Sequence, residues 1–363
     1  MSTKFKERID NLKDKIKLLN AQGLLITNLV NIRYLTGFSG SAAEILITLN
    51  KDYFFTDGRY IEYAKNNIKY FKLIETKEFL KTLFFILKKE RIKKLLLEAD
   101  DLTVEKKELL KDALTSEKIK LINTTSLVMS LRLHKQQEEL QKIKQAISAS
   151  ITVFKEILDL IKVNTISEYD LALELEYKIK KKGLDVAFPP IVASGYNSCL
   201  PHAKPTQKKL CLNECLIIDF GIAVDGYNSD ITRTLLIAPD KEKLRFFKAL
   251  ASTHQDILGY LKPGISVKSL YKFAQKRLLD YSYIKKAYIK HNLGHGIGLQ
   301  VHEEPALSGK NNTKLNQGMV ITIEPGIYIP NIGGFRIEDM VYIKEDKAEI
   351  LTKDLPIIID VTR

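Results

Sequence analysis

The stretch Leu216–Ile237 reads LIIDFGIAVDGYNSDITRTLLI, two apolar runs joined at Asp225-Gly226. Asp-Gly accepts the left-handed backbone of a two-residue turn, so the pattern predicts a β-hairpin. A two-residue loop sets Asp219 opposite Thr232 and makes Asp230 its diagonal neighbour on the same face. Two carboxylates then converge at roughly 7 to 8 Å between backbones, on strands apolar enough to be mostly buried. One buried aspartate is commonly satisfied by a turn or a hydrogen bond. Two on one face need a compensating cation, because unpaired charge in a core is very costly.

Residues that complete such a cation site lie downstream. VITIEPGIYI places Glu324 at the end of an apolar strand, and GFRIEDMVYI places Glu338 inside another, with PNIGG as the loop between them. HNLGHGIGLQVHEEP supplies His291, His295 and His302, and its glycines let the backbone approach closely around an imidazole. With His202 of LPHAKP, four of the six histidines fall in two short stretches. Asp219, Asp230, His295, Glu324 and Glu338 form a carboxylate-rich set with one nitrogen ligand. That set suits two divalent cations sharing bridging carboxylates; hard oxygen ligands favour Mn²⁺, with Co²⁺, Zn²⁺ or Fe²⁺ as alternatives. The chain has no HExxH helix and the set contains no cysteine, so a single-zinc peptidase of that type is not supported.

Composition bounds the rest. At 363 residues the chain is long enough for about two domains, and 45% apolar with 28% charged residues is an ordinary globular mix. The longest run without Asp, Glu, Lys or Arg, Val186 to Ala203, contains three prolines and cannot span a membrane. The N-terminus is charged from residue 4 without an apolar segment, and the three cysteines form no even framework. A cytoplasmic, reduced protein is the expectation. The net charge of +13 is spread over helical stretches such as KEFLKTLFFILKKERIKK, which reads as solvated helix faces and not as a nucleic-acid patch.

The first 125 residues or so alternate short strands (GLLIT, AEILITL, KDYFFT, KKLLLEA, KIKLIN) with helical segments, which makes an α/β domain. From Met129 a long amphipathic helix, RLHKQQEELQKIKQAISASITVFKEILDLI, has a charged front half suited to a solvent-exposed connector. The domains are expected at 1–128 and 129–363. Beyond it, ILDLIKVNTISEYDLALELEYKIKKKG from Ile157 is echoed by ILGYLKPGISVKSLYKFAQKRLLD from Ile257. Each copy is a helix, a break ending in a serine N-cap (Ser167, Ser266) and a second helix, which implies a pseudo-symmetric domain. Asp225 and Asp339 read as turn and rim residues, Tyr227 as packing in the hairpin, and His134 and His254 as residues of polar helix faces.

The ordered set IIDFG, NSDITRT, GHGIGLQVHEEP, TIEPGIYI and GGFRIED resembles the metal-dependent pita-bread peptidases, in their aminopeptidase P and prolidase branch. NIRYLTGFSGSAAE and FFTDGRY resemble the creatinase-like N-terminal domain, and SGYNSCLPHA the segment preceding the first metal ligand. The resemblance implies a two-domain α/β architecture: a creatinase-like N-terminal α/β domain and a C-terminal pita-bread catalytic domain of pseudo-symmetric α+β build. It further implies that Asp219 and Asp230 hold one metal, that His295 and Glu324 hold a second, and that Asp230 and Glu338 bridge the two. Glu324 stands where the family places the proton acceptor for a hydroxide held between the metals. His302 and His202 match histidines at the scissile carbonyl and the proline side of the substrate, and His291 a further substrate-side histidine. Arg336 matches an arginine that anchors a carboxylate or orients an acidic ligand.

The activity so implied is hydrolysis of the bond preceding proline in small peptides, as an Xaa-Pro dipeptidase, with aminopeptidase P action on longer peptides as the alternative. A homodimer is expected from the short N-terminal domain. A metal-free binding protein on the same fold and a creatine-hydrolysing relative are the remaining alternatives; the intact five-residue ligand set argues against both.

Overall fold

The computed structural model describes residues 3–114 and 118–357. The chain divides into two compact units, Met1–Arg132 and Leu133–Arg363. The first is built on a six-stranded sheet, in the order β4-β3-β2-β1-β5-β6. Its strands are β1 (Gly23–Ile26), β2 (Ala43–Thr48), β3 (Tyr53–Thr56), β4 (Lys72–Glu75), β5 (Lys94–Glu98) and β6 (Lys120–Thr124). Helices α1 (Thr3–Leu18), α2 (Leu29–Thr36), α3 (Ile61–Asn67), α4 (Phe79–Lys89), α5 (Val104–Leu114) and α6 (Met129–Arg132) complete it. β1, β5 and β6 run parallel, whereas β1, β2 and β3 pair antiparallel. Strands β1, β2 and β5 are almost wholly buried and apolar at their centres, so both faces of the sheet centre are covered. Asn28 caps α2 by accepting from the amides of Val30 and Asn31, and Gly37 at φ 79° ends it.

The second unit contains α7 (Gln137–Leu158), α8 (Glu168–Lys181), α9 (Lys241–Tyr260) and α10 (Val267–Leu279). Its strands are β7 (Asp185–Val186), β8 (Ile191–Ser194), β9 (Glu214–Phe220), β10 (Ile222–Val224), β11 (Tyr227–Asn228), β12 (Ile231–Ile237), β13 (Val320–Ile323), β14 (Gly326–Ile329), β15 (Gly333–Arg336), β16 (Asp339–Ile343) and β17 (Ala348–Ile350). The internal echo becomes spatial. Helices α7 and α8 share a core with sheet β12-β9-β8, and α9 and α10 share one with β13-β16-β17. Ser167 and Ser266 cap α8 and α10, accepting from the third helical amide in each case. Ser167 forms an isolated bridge with Lys209 and Ser266 one with Lys314, so the two breaks are tied in the same way. The bridge Thr232 to Glu338 joins the halves.

The hairpin register follows the sequence: Thr232 pairs with Asp219 and Ala223 with Asn228. Asp225 and Gly226 have φ of 48° and 79°, the signs a type I′ turn requires.

Several expectations need correction. The long helix starts at Gln137, not at Arg132, with Glu139 reaching back to the Gln136 amide in a capping box. Its front half is no exposed connector, because Glu139, Leu140, Ile143 and Ile147 are buried at helical spacing. His134 lies before that helix, its Nδ1 2.7 Å from the Gln317 carbonyl. His254 is wholly buried within α9, 3.3 Å from Asp339. Asp339 is no rim residue: it is buried in β16 and accepts from Arg233 Nη2 and Thr352 Oγ1, both at 2.6 Å. Glu324 directly follows β13, at the strand end where the sequence places it, whereas GFRIEDMVYI is broken in two, so Glu338 sits between strands, not inside one.

Candidate active site

The strand breaks place the carboxylates. Asp219 is the penultimate residue of β9, Asp230 immediately precedes β12, Glu324 follows β13, and Glu338 lies between β15 and β16. At each break the chain leaves one sheet for a short ribbon, which frees it from the alternation that would turn a charged residue into an apolar layer. Glu338 is held by two bonds to Thr232: its amide donates to the Thr232 carbonyl at 3.0 Å, and Thr232 Oγ1 donates to Oε2 at 2.8 Å.

His295 comes from the glycine-rich segment. A Cβ on Gly294 would lie 2.1 Å from the Thr322 carbonyl oxygen, and one on Gly296 2.1 Å from that of Glu304, so both approaches require glycine. The His295 carbonyl accepts from the Thr322 amide and its own amide donates to the Thr322 hydroxyl, while Nδ1 turns to the Gly296 carbonyl at 3.1 Å. That contact assigns the proton to Nδ1 and leaves Nε2 as a lone-pair donor. Nε2 lies 3.6 Å from Asp230 Oδ2 and 3.5 Å from Glu324 Oε1.

Asp230, His295 and Glu338 each present one ligand atom, all within 4.8 Å of one another. Asp219 and Glu324 flank this trio. Asp219 pairs with Arg336, and Glu324 approaches His295 and, at 3.8 Å, His291. Burial first, and then the neighbouring carboxylates, push Asp230 and Glu324 well above the ordinary range and Glu338 up to about 8. Burial holds His295 and His291 down at about 4, so both are neutral near pH 7. Asp219 Oδ1 and Glu338 Oε1 are buried and receive no hydrogen bond. Orphaned carboxylate oxygens beside a neutral imidazole are the donor set that divalent cations satisfy.

Arg336 is buried and donates through Nη2 to Asp219 at 2.5 Å, through Nη1 to Tyr328 Oη and the Pro201 carbonyl, and through Nε to Thr232 Oγ1. Its guanidinium thus orients an acidic side chain of the cluster, and most of its donors are already engaged within the protein. His291 Nε2 meets the same Tyr328 hydroxyl at 2.8 Å. The exposed His302 stands edge-on to His295, ring centres 4.3 Å apart. His202 is exposed on its loop. Sequence reasoning missed Tyr328, which links Arg336 to His291; in GIYI it reads as one more apolar strand residue. Thr232 was visible only as the partner of Asp219.

The chain belongs to metallopeptidase family M24. That family's model matches residues 141–345, and the creatinase/prolidase N-terminal domain model matches residues 8–134. The architecture is accordingly a creatinase-type domain followed by a pita-bread catalytic domain, and the family's chemistry is metal-dependent peptide hydrolysis. The chain is 34% identical over 361 residues to the Xaa-Pro dipeptidase of Pyrococcus horikoshii, covering 95% of this chain and 98% of that one. Among solved structures it resembles an Xaa-Pro dipeptidase from Bacillus anthracis (TM-score 0.92, 32% identity, covering 98% and 99% of the two chains). It also resembles an X-Pro aminopeptidase from Thermotoga maritima (TM-score 0.86, 34% identity, covering 95% and 100%). No helix among the described residues is long and apolar enough to cross a membrane.

Proposed function

We propose that the protein is an Xaa-Pro dipeptidase whose catalytic domain, 129–363, follows an N-terminal domain at 1–128. The observation that carries this reading is the buried cluster of four carboxylates and one neutral histidine with two unsatisfied oxygens, in a chain alike over its length to proteins named Xaa-Pro dipeptidase. Asp219, Asp230, His295, Glu324 and Glu338 would hold two divalent cations, Mn²⁺ by preference for hard oxygen donors. Bound there, such ions supply Lewis acidity that polarises a peptide carbonyl and acidifies water.

The chain's own residues do the rest. Glu324, beside His295 and His291, takes a proton from water and returns it to the departing proline nitrogen. His302 faces the carbonyl, His202 and His291 the proline side, and Arg336 fixes Asp219. A bond to proline has no N–H, so peptidases that bind that donor reject it; a site that grips the carbonyl and the ring does not need it. In the same reading the protein is a homodimer acting in the cytoplasm on small peptides. Its three cysteines are free thiols, which suits a reducing compartment.

Aminopeptidase action on longer peptides is the second reading, favoured by the likeness to the Thermotoga enzyme and by an Arg336 already committed to Asp219. Side-by-side kinetics on Ala-Pro and Ala-Pro-Ala with Mn²⁺ separate the two. A higher kcat/KM on the dipeptide is expected; a higher value on the tripeptide would overturn the dipeptidase assignment.

A further inference from the structure

Helix α8 begins with Glu168, an acidic residue that is wholly buried. Its carboxylate accepts five hydrogen bonds from three residues. Ser194 donates to Oε1 through its amide at 2.6 Å and its hydroxyl at 2.9 Å. Asn197 Nδ2 donates to Oε2 at 2.9 Å, and Thr206 donates to the same oxygen through its amide at 3.1 Å and its hydroxyl at 2.7 Å. A carboxylate offers about four lone-pair sites, so this one is saturated and free for no chemistry of its own.

Two of the donors, Ser194 and Thr206, lie at the roots of one loop, and Asn197 lies in its first turn. Between Ser194 and Thr206 the chain makes a 3-10 turn, Gly195–Cys199, and then presents Pro201 and His202. The loop is attached further along as well: the Ser198 hydroxyl accepts from the Gly334 amide at 2.7 Å, and near the tip the Pro201 carbonyl accepts from Arg336 Nη1 at 3.1 Å. Glu168 therefore holds the segment at its roots and Arg336 near its tip, with Ser198 tied to Gly334 between, and the His202 side chain projects exposed.

The architecture does not itself demand a carboxylate at this position. In the pseudo-symmetric half the residue after the serine cap is Val267, also wholly buried, next to the equivalent bridge. An apolar residue serves there, whereas the half that carries the His202 loop has Glu168 at the corresponding place.

We infer that Glu168 is a positioning residue for substrate recognition: by fixing Ser194, Asn197 and Thr206 it sets where His202 meets the proline side of the peptide, without touching substrate or metal. This rests on the proposed substrate-facing role of His202. The test is Glu168→Gln, whose amide group turns an N–H₂ against donors that need an acceptor. With Ala-Pro and Mn²⁺, kcat/KM should fall about 10- to 100-fold, mainly through KM, since small misplacements of binding groups are that costly. Metal content by elemental analysis should stay that of the wild type. In a His202→Ala background the same change should have less than about a twofold effect; a full and independent loss there, or loss of metal, would overturn the inference. Should Glu168→Gln fail to fold, Thr206→Val removes one hydroxyl donor at the surface, and a smaller rise in KM is expected. Amide exchange of residues 195–206 should quicken in either variant, and unchanged exchange would also overturn it. That readout needs no turnover, so it still decides the inference if the wild type leaves Ala-Pro intact, a result that would sink the functional reading instead.

Discussion

Arg336 and Asp219 form an ion pair inside the carboxylate cluster, Nη2 to Oδ2 at 2.5 Å, with side chains only 4% and 11% exposed. Removing one partner of a buried pair leaves an uncompensated charge and costs about 3 to 5 kcal/mol. Divalent cations offset the same charge. Arg336→Met should therefore lower Tm more in EDTA than in Mn²⁺, as followed by calorimetry in both buffers. Equal shifts would mean that the arginine and the metals do not compensate the same carboxylates.

The metal-free protein should lose stability as pH rises from about 6.5 to about 8. Glu338 titrates near 8 in the folded chain, and Asp230 and Glu324 are raised in the same direction, so the folded state holds protons that the unfolded state has released. Their stabilising contribution is complete below the ordinary carboxylate range and disappears as pH passes the folded values. His254, His291 and His295, all held at about 4, act in the opposite sense, adding stability as pH rises between about 4 and 6.5. Above 6.5 the cluster carboxylates act together with Glu98 of the first unit, which burial raises to about 7 and which adds to the decline. Chelator-treated protein unfolded in urea at several pH values should show the decline, and Mn²⁺ should remove the part due to the cluster, leaving the smaller part due to Glu98. A flat profile without metal would contradict the carboxylate coupling.

Asp230→Asn keeps the shape of the side chain and removes one charge from the trio with His295 and Glu338. Turnover of Ala-Pro should drop on the order of 10³-fold or more, equivalent to at least ~4 kcal/mol of barrier, while circular dichroism stays native. An unchanged kcat would remove Asp230 from the chemistry.

His302→Ala should lower kcat about 10²-fold, the cost of losing one group that steadies the developing oxyanion. Its ring contacts His295 but is exposed and outside the carboxylate trio, so bound metal should be unchanged. Elemental analysis in parallel with kinetics decides: metal lost in step with activity makes His302 a ligand.

Much of this site was legible because its signals are local. Asp225-Gly226 fixes a turn, the turn fixes the register, and the register alone brings Asp219 to Thr232 and near Asp230. The glycines around His295 announce a close backbone approach that the structure contains. What escaped depends on contacts between distant segments. Arg233 of β12 donates to Asp339, to the Glu338 carbonyl and to Leu355 and Pro356 near the end of the described chain, so Asp339 is a buried partner where its sequence neighbourhood suggests a rim. His254 likewise turns inward from a helix whose polar residues hide that it faces Asp339. The strand end at Glu324 was legible, but the break at Glu338 was silent, since GFRIEDMVYI reads as one strand until the neighbouring sheet claims half of it.

In the proposed reaction this cluster hydrolyses the bond preceding proline by way of divalent cations. Proline release from Ala-Pro by chelator-stripped protein, titrated with Mn²⁺ and run beside Ala-Ala, tests it most directly. Stripped protein should be inactive, activity should return and level off at about two equivalents per chain, and Ala-Ala should remain uncut. Cleavage of Ala-Pro without metal, or equal cleavage of Ala-Ala, would contradict it.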